Sequence, residues 1–297
     1  MEQFFSGMSI TTGAVRYKDL AYLLVTKDDI GKEKVPHTRI YEIDRGRVGG
    51  IDLDWMGVSG CVCQVPEERF VAIGEAGFVY VFGGGQTIEE QPVCKDEEVF
   101  LREVRCISNG RAFSVGPNRR VFRRTAPNLW EDISAPPPTA GDFMDAGFES
   151  IDGKDESDIF AVGWGGEIWH FNGNDWINID SPTNLALYKI RYDGQKFFYS
   201  CGQAGTLLQG NEKGWEIIEN NLTDEDFWGM EWFNNKLFVA SLNILYVLEN
   251  EVLSPVDFGD TPPPSTCYHL SAADGIMWSI GPKDVMEYDG IQWTRIL

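Results

Sequence analysis

One pattern recurs along this chain and limits its fold more than any other feature. It is an alternating strand, a tight turn, a second strand ending in glycine, a short loop, a third strand, another turn and a fourth strand. The clearest copy reads Ile159-Phe160-Ala161-Val162-Gly163-Trp164-Gly165-Gly166-Glu167-Ile168-Trp169-His170-Phe171-Asn172-Gly173-Asn174-Asp175-Trp176. Aligned on Gly163, the copies fall at Thr26, Gly74, Gly116, Gly163, Gly202, Leu242 and Gly281, 39 to 48 residues apart. That is the period of a four-stranded propeller blade. A lone sheet of this kind cannot bury both faces, whereas stacking each blade on its neighbours buries them in a continuous ring. The expectation is therefore an all-β, seven-bladed β-propeller of four-stranded antiparallel blades, with residues 1–297 forming a single domain. Blade one is the least regular, with an insertion over residues 27–37, so six blades and an irregular cap form the alternative. Residues 268–297 hold four strands of their own, and residues 1–9 are available to add a strand at the seam.

Turn chemistry agrees with the alignment. Asn109-Gly110, Asp152-Gly153, Asp193-Gly194, Asn234-Asn235 and Asp274-Gly275 precede the aligned positions. Such pairs tolerate positive φ and predict the hairpin between each blade's first and second strands. Gly83-Gly84-Gly85, Asn172-Gly173, residues 211–214 and Asp289-Gly290 predict the hairpin between the third and fourth. No amphipathic helical stretch competes with the period of two.

The string Asp158-Ile159-Phe160-Ala161-Val162-Gly163, followed by Gly166-Glu167-Ile168-Trp169-His170-Phe171, Asn172-Gly173 and Trp176, resembles bacterial propeller repeats of the WD40/YVTN/BNR-like group. Asp289-Gly290-Ile291-Gln292-Trp293 is similar to the turn core of an Asp-box. The resemblance covers residues 60–297 and departs in blade six, where Ser241-Leu242 replaces the glycine. It implies a fold and says little about chemistry, since propellers host enzymes, lectins and scaffolds alike.

Charge narrows the partners. Lys+Arg of 25 against Asp+Glu of 46 gives a formal charge of −21, which repels nucleic acid and anionic membrane and suits a basic protein. No run of 18 apolar residues marks a membrane span. The opening Met1-Glu2-Gln3-Phe4-Phe5-Ser6-Gly7 lacks the basic and apolar regions of a secretion signal, so a cytoplasmic chain, monomeric when free, is expected. Cys61, Cys63, Cys94, Cys106, Cys201 and Cys267 are then expected as free thiols.

No catalytic constellation or cofactor site emerges. His37, His170 and His269 lie in unrelated segments, and Cys61-x-Cys63 is too sparse for zinc. His170 occupies a repeat position suited to packing or hydrogen bonding. A carboxylate pair has little diagnostic value among 46 acids. Arg119-Arg120 and Arg123-Arg124 come from one blade, split between its faces, and read as a solvated strand and loop. Trp176, Trp215, Trp293 and Trp130 recur at one fourth-strand position, which implies packing between blades.

The connections between blades carry the functional signal. Windows 44–59, 93–103, 134–147, 180–186, 219–228 and 257–266 occupy under a quarter of the chain and hold over half of its net negative charge. In a propeller they share one face with the loops joining strands two and three. Aromatic residues are mixed among the acids. The candidate partner-binding residues are Trp55, Asp142, Phe143, Asp145, Trp164, Asp224, Glu225, Asp226, Phe227 and Trp228. Rings inside a field of one sign suit protein recognition. The leading expectation is a non-catalytic propeller that captures a basic protein, an immunity protein neutralising a toxin being one such case. The alternatives are a carbohydrate-active enzyme or lectin using the central pocket, and an assembly factor for a larger complex.

Overall fold

A computed structural model describes residues 2–29, 37–94, 99–139 and 146–297. After a four-residue helix (Glu2–Phe5), 28 strands form seven four-stranded antiparallel sheets. Each sheet takes its strands consecutively from the chain. Their innermost strands are Met8–Tyr17, Gly57–Cys63, Glu103–Cys106, Phe148–Asp155, Leu187–Tyr192, Gly229–Phe233 and His269–Ala273. Each adjoins the next around a central channel, and the first adjoins the last. The seven-blade expectation holds, and the six-blade alternative does not.

Each junction between blades holds its own apolar cluster, so the core is a ring of seven patches. The recurring fourth-strand tryptophans contribute to these patches. Trp176 packs at a tilt against Phe171 in its own blade, and its indole N–H donates to Ile133 O of blade three at 2.6 Å. Trp215 meets Phe160 of blade four, and Trp293 meets Phe238 of blade six.

The aligned glycines are required for room. Gly163 has extended backbone (φ −176°), but a Cβ there would lie 1.8 Å from Gly147 O, where the incoming connection crosses the strand end. Gly116 and Gly202 stand in the same relation to Phe100 O and Ala186 O, at 2.1 and 2.0 Å. Two aligned positions shift by one residue. Ser241 takes the place in blade six, its N–H bonded to Ile244 O at 2.9 Å, because that loop is one residue shorter. Lys27 takes it in blade one, where it pairs with Met8.

The predicted turns fall in place except one. Asp152-Gly153 lies inside the strand Phe148–Asp155, and the chain reverses at Glu156-Ser157 instead. Asp152 turns its carboxylate toward the channel, which keeps the backbone extended there. Among the described residues, 2–7 add no separate seam strand: the chain enters blade one's innermost strand at Met8. Closure comes from side-by-side packing. Ile10 N–H donates to Pro282 O and Val15 N–H to Ser271 Oγ, both at 3.0 Å. Ile10, Val15 and Val25 share a cluster with Ile276, Trp278 and Ile280. Among the described residues no helix is long and apolar enough to cross a membrane.

Candidate functional site

Each innermost strand begins on one face of the ring and each second strand returns to it. The strand-two to strand-three loops and the connections between blades therefore emerge together around one mouth of the channel. The mouth opens into a funnel of about 850 Å³. Tyr188, Trp228 and Tyr268, from blades five, six and seven, form one wall as a stack of three rings. Trp228 lies 4.4 Å from Tyr188 at 3° and 5.7 Å from Tyr268 at 29°. Trp164 stands on another wall, its indole N–H donating to Glu149 and Arg102 lying over its ring at 5.9 Å. Arg102 and Glu149 are 3.5 Å apart.

Backbone bonds fix the loop over residues 219–228. Phe227 N–H donates to Gly202 O at 2.9 Å and Trp228 N–H to Ala240 O at 2.8 Å. Asp226 Oδ1 accepts Ala204 N–H at 2.9 Å, and Thr223 Oγ1 accepts Glu225 N–H at 3.0 Å. This drape seats Phe227 in the core between blades five and six and turns Trp228 to the funnel. Asp224 and Glu225 point to solvent.

Of the predicted residues, the fold brings Trp164 and Trp228 to the funnel and leaves Asp224, Glu225 and Asp226 on the same face, outside its lining, in the connection that ends at Trp228. Two rings are corrected. Phe227 is wholly buried, at 0% exposure, and Trp55 is 4% exposed beneath Phe78, 6.0 Å from it in a stacked pair. Both lie in connections as predicted, but each fills a gap between blades and cannot touch a partner. Asp142, Phe143 and Asp145 lie outside the described residues. The window 44–59 is corrected too, since seven of its sixteen residues are blade one's outer strand Arg47–Leu53 and Asp44 lies at the opposite face.

The same face carries apolar residues that sequence reading missed. Phe78 and Phe100 are 39% and 55% exposed, and Leu222, Leu242 and Ile244 are exposed as well. Exposed apolar residues are not confined to this face, since Val252 and Ile291, in hairpins at the opposite one, are 65% and 89% exposed. The signal of those on the funnel face was positional: each sits in a strand-two to strand-three loop or a connection between blades. Around them Asp54, Glu75, Asp180, Asp257 and Asp260 are exposed, and neither they nor the 224–226 acids form an ion pair among the described residues.

Below the funnel the channel is closed by charge. Glu103 meets Lys189 Nζ at 2.9 Å and Arg191 at 3.5 Å. Glu231 meets Arg105 at 2.8 Å and Arg191 at 3.5 Å, and Asp152 meets Arg105 at 3.6 Å. Ser150 Oγ donates to Glu103 at 2.7 Å. Burial works to raise Glu103, but Lys189, Arg191 and Ser150 hold its carboxyl down to about 2. Burial, then the cations of Lys189 and Arg191, push His269 down to about 3, so its imidazole is neutral. Three carboxylates and three cations thus cancel. This septum separates the funnel from a second cavity of about 370 Å³ beneath it. The sequence signal was the i, i+2 pattern Glu103-Val104-Arg105 and Lys189-Ile190-Arg191 within short apolar strands.

The arginines of blade three also need correction. Arg124 is fully buried against Glu90 at 2.5 Å, and Arg119 pairs with Glu167. They tie blades together and do not form a solvated strand. His170 fits its packing role, stacked on Phe160 and 2.9 Å from Asp158. Among the described residues no three His, Cys, Asp or Glu side chains gather as a metal-ligand set.

No family model matches the chain. It is 43% identical over 296 residues to the immune protein Tsi7 of Pseudomonas aeruginosa (strain PAO1), with 96% of each chain covered. Among solved structures it is similar to the WD40 β-propeller domain of Doa1, with a TM-score of 0.72, 10% identity, and 94% of this chain and 92% of that one covered. It is also similar to YCF48 bound to a D1 peptide, with a TM-score of 0.66, 12% identity, and 95% and 92% covered.

Proposed function

The chain belongs to the family of the immune protein Tsi7, and from that premise we propose that it is a non-catalytic immunity protein that neutralises a basic toxin by capturing it on the funnel face. The observation that carries this reading is the belt of exposed, unpaired carboxylates around preorganised rings on one face. Such a belt speeds encounter with a basic surface and excludes acidic competitors, while buried rings slow dissociation. Trp228 is the anchor: it is already ordered by two tyrosines, so little freedom is lost when a partner covers it. Trp164 serves the opposite wall, and Asp224, Glu225 and Asp226 serve association.

A sugar-cleaving reading has less support. It needs two carboxylates free to act across a glycosidic bond, whereas Glu149 is held by Arg102 and Trp164, and Glu103 by Lys189. Free thiols favour action in a reducing compartment, which we read as the cytoplasm.

The test has two parts. Expression of this chain should protect cells from the toxin that it captures. Binding of the two purified proteins, followed at low and high salt, should then separate the roles. Replacing Asp224, Glu225 and Asp226 by Lys should slow association and flatten its salt dependence. A protected cell without a physical complex would overturn capture as the mechanism.

A further inference from the structure

The funnel changes character with depth. Outside its lining, on the same face of the ring, stand exposed carboxylates without ion-pair partners, among them Asp224 and Glu225 in the connection that ends at Trp228. Its walls present more apolar than polar surface, from Met56, Val58, Leu242 and the ring stack of Tyr188, Trp228 and Tyr268, and the charges on them, Arg102 and Glu149, are paired with each other. At its floor Lys189 is already paired to Glu103 at 2.9 Å, and the septum as a whole is balanced. A volume of about 850 Å³ exceeds what one side chain fills and lies within the range of sites that enclose a ligand.

These three zones select different chemistry. A cation gains on the face around the funnel, where carboxylates have no partner. At the floor any charge would lose its water and find its counter-charges engaged, so a charged tip is disfavoured. Apolar walls reward an apolar occupant. The septum also sets a stop, because an element can enter from this face but cannot pass through. Resting on the reading of this face as the capture surface, we propose that the partner inserts a projecting loop. Its apolar tip fills the funnel, and its Lys or Arg flanks meet the acids on the face around it.

Filling the funnel without altering its charge tests the idea. Thr11→Trp adds bulk from blade one and Leu242→Trp from blade six. Leu242 is exposed, so that variant keeps the test open even if loss of the Thr11 bond to Leu24 O harms folding. The probe is the purified product of the gene beside this chain's own. Each folded variant should bind at least 100-fold more weakly, while the salt dependence of any residual association persists. A photoreactive residue at position 242 should cross-link to a segment with an apolar centre between basic residues. If both filled variants bind like wild type while the 224–226 reversal weakens binding, the partner docks flat and insertion is overturned, with capture intact. A cross-linked segment with a charged centre overturns the apolar tip. If the wild-type protein does not bind the probe, the capture reading fails together with this one.

Discussion

Replacing Trp228 and replacing Phe227 should have opposite consequences, although the two are adjacent in the chain. Trp228→Ala leaves the core intact and removes the middle ring of the Tyr188-Trp228-Tyr268 stack. It should speed dissociation of the partner, at a cost of about 2 kcal/mol in affinity, with little change in the unfolding midpoint. Phe227→Ala empties a fully buried site between blades five and six. It should lower stability by about 3–5 kcal/mol. Denaturant titration and binding kinetics on both variants check the pair, and equal loss of stability would undo the assignment. The contrast also marks a limit of sequence reading at this scale. Composition and spacing place Trp55, Phe227 and Trp228 in connections between blades, and all three are there. Which ring turns inward depends on carbonyl and amide bonds to other blades, such as Phe227 N–H to Gly202 O, and no local pattern encodes those.

At the scale of the element, the innermost strands do two jobs. Their apolar residues fill the junctions between blades, and their charged residues close the channel. The first job was legible, because period-two alternation and glycine-ended strands follow from local geometry. The second was not, because Glu103, Arg105, Asp152, Lys189, Arg191 and Glu231 come from four blades and only ring closure brings them together. The Asp152-Gly153 misassignment has the same origin, since a good turn pair was drawn into a strand by a charge network it could not foresee. The septum has a measurable signature in His269. Its folded pKa is depressed to about 3, against about 6.5 in an unfolded chain. Between those values the unfolded state binds the extra proton, so stability is full above pH 6.5 and falls as pH drops toward 3. The slope from this group is about 1.4 kcal/mol per pH unit. His269→Gln should flatten the stability profile between about pH 6 and pH 4, read from urea midpoints. An unchanged slope would show that His269 titrates normally in the fold.

For the whole molecule, closure decides how the ring responds to cutting. All six cysteines are unpaired, so covalent staples do not hold it. Thiol titration of protein denatured with oxidation blocked should find six reactive groups, and a deficit of two would reveal a bridge. Nor does a strand exchanged between first and last blades hold it, because each blade draws its four strands from one continuous stretch. The seam between blades seven and one is an apolar junction like the other six, with Lys283 reaching across to Asp28 and to Met8 O at 2.7 Å. The two ends of the chain also lie together there, Phe5 and Leu297 lining one pocket. A circular permutant should therefore fold. Joining the termini through a short flexible linker and opening the chain between Gly259 and Asp260 cuts an exposed turn in the connection from blade six to blade seven. The old seam becomes covalent, the old connection becomes the seam, and every blade keeps its own four strands. Exposed turns tolerate such cuts, and loop entropy changes only slowly with length. The permutant should unfold cooperatively, with a midpoint near that of the parent protein and the same far-ultraviolet spectrum. It should also bind the partner with a comparable dissociation rate, since Trp228 and its flanking tyrosines remain in place. A permutant that fails to fold, when a second opened between blades four and five succeeds, would show that the six–seven connection has a structural role that packing at the seam cannot replace.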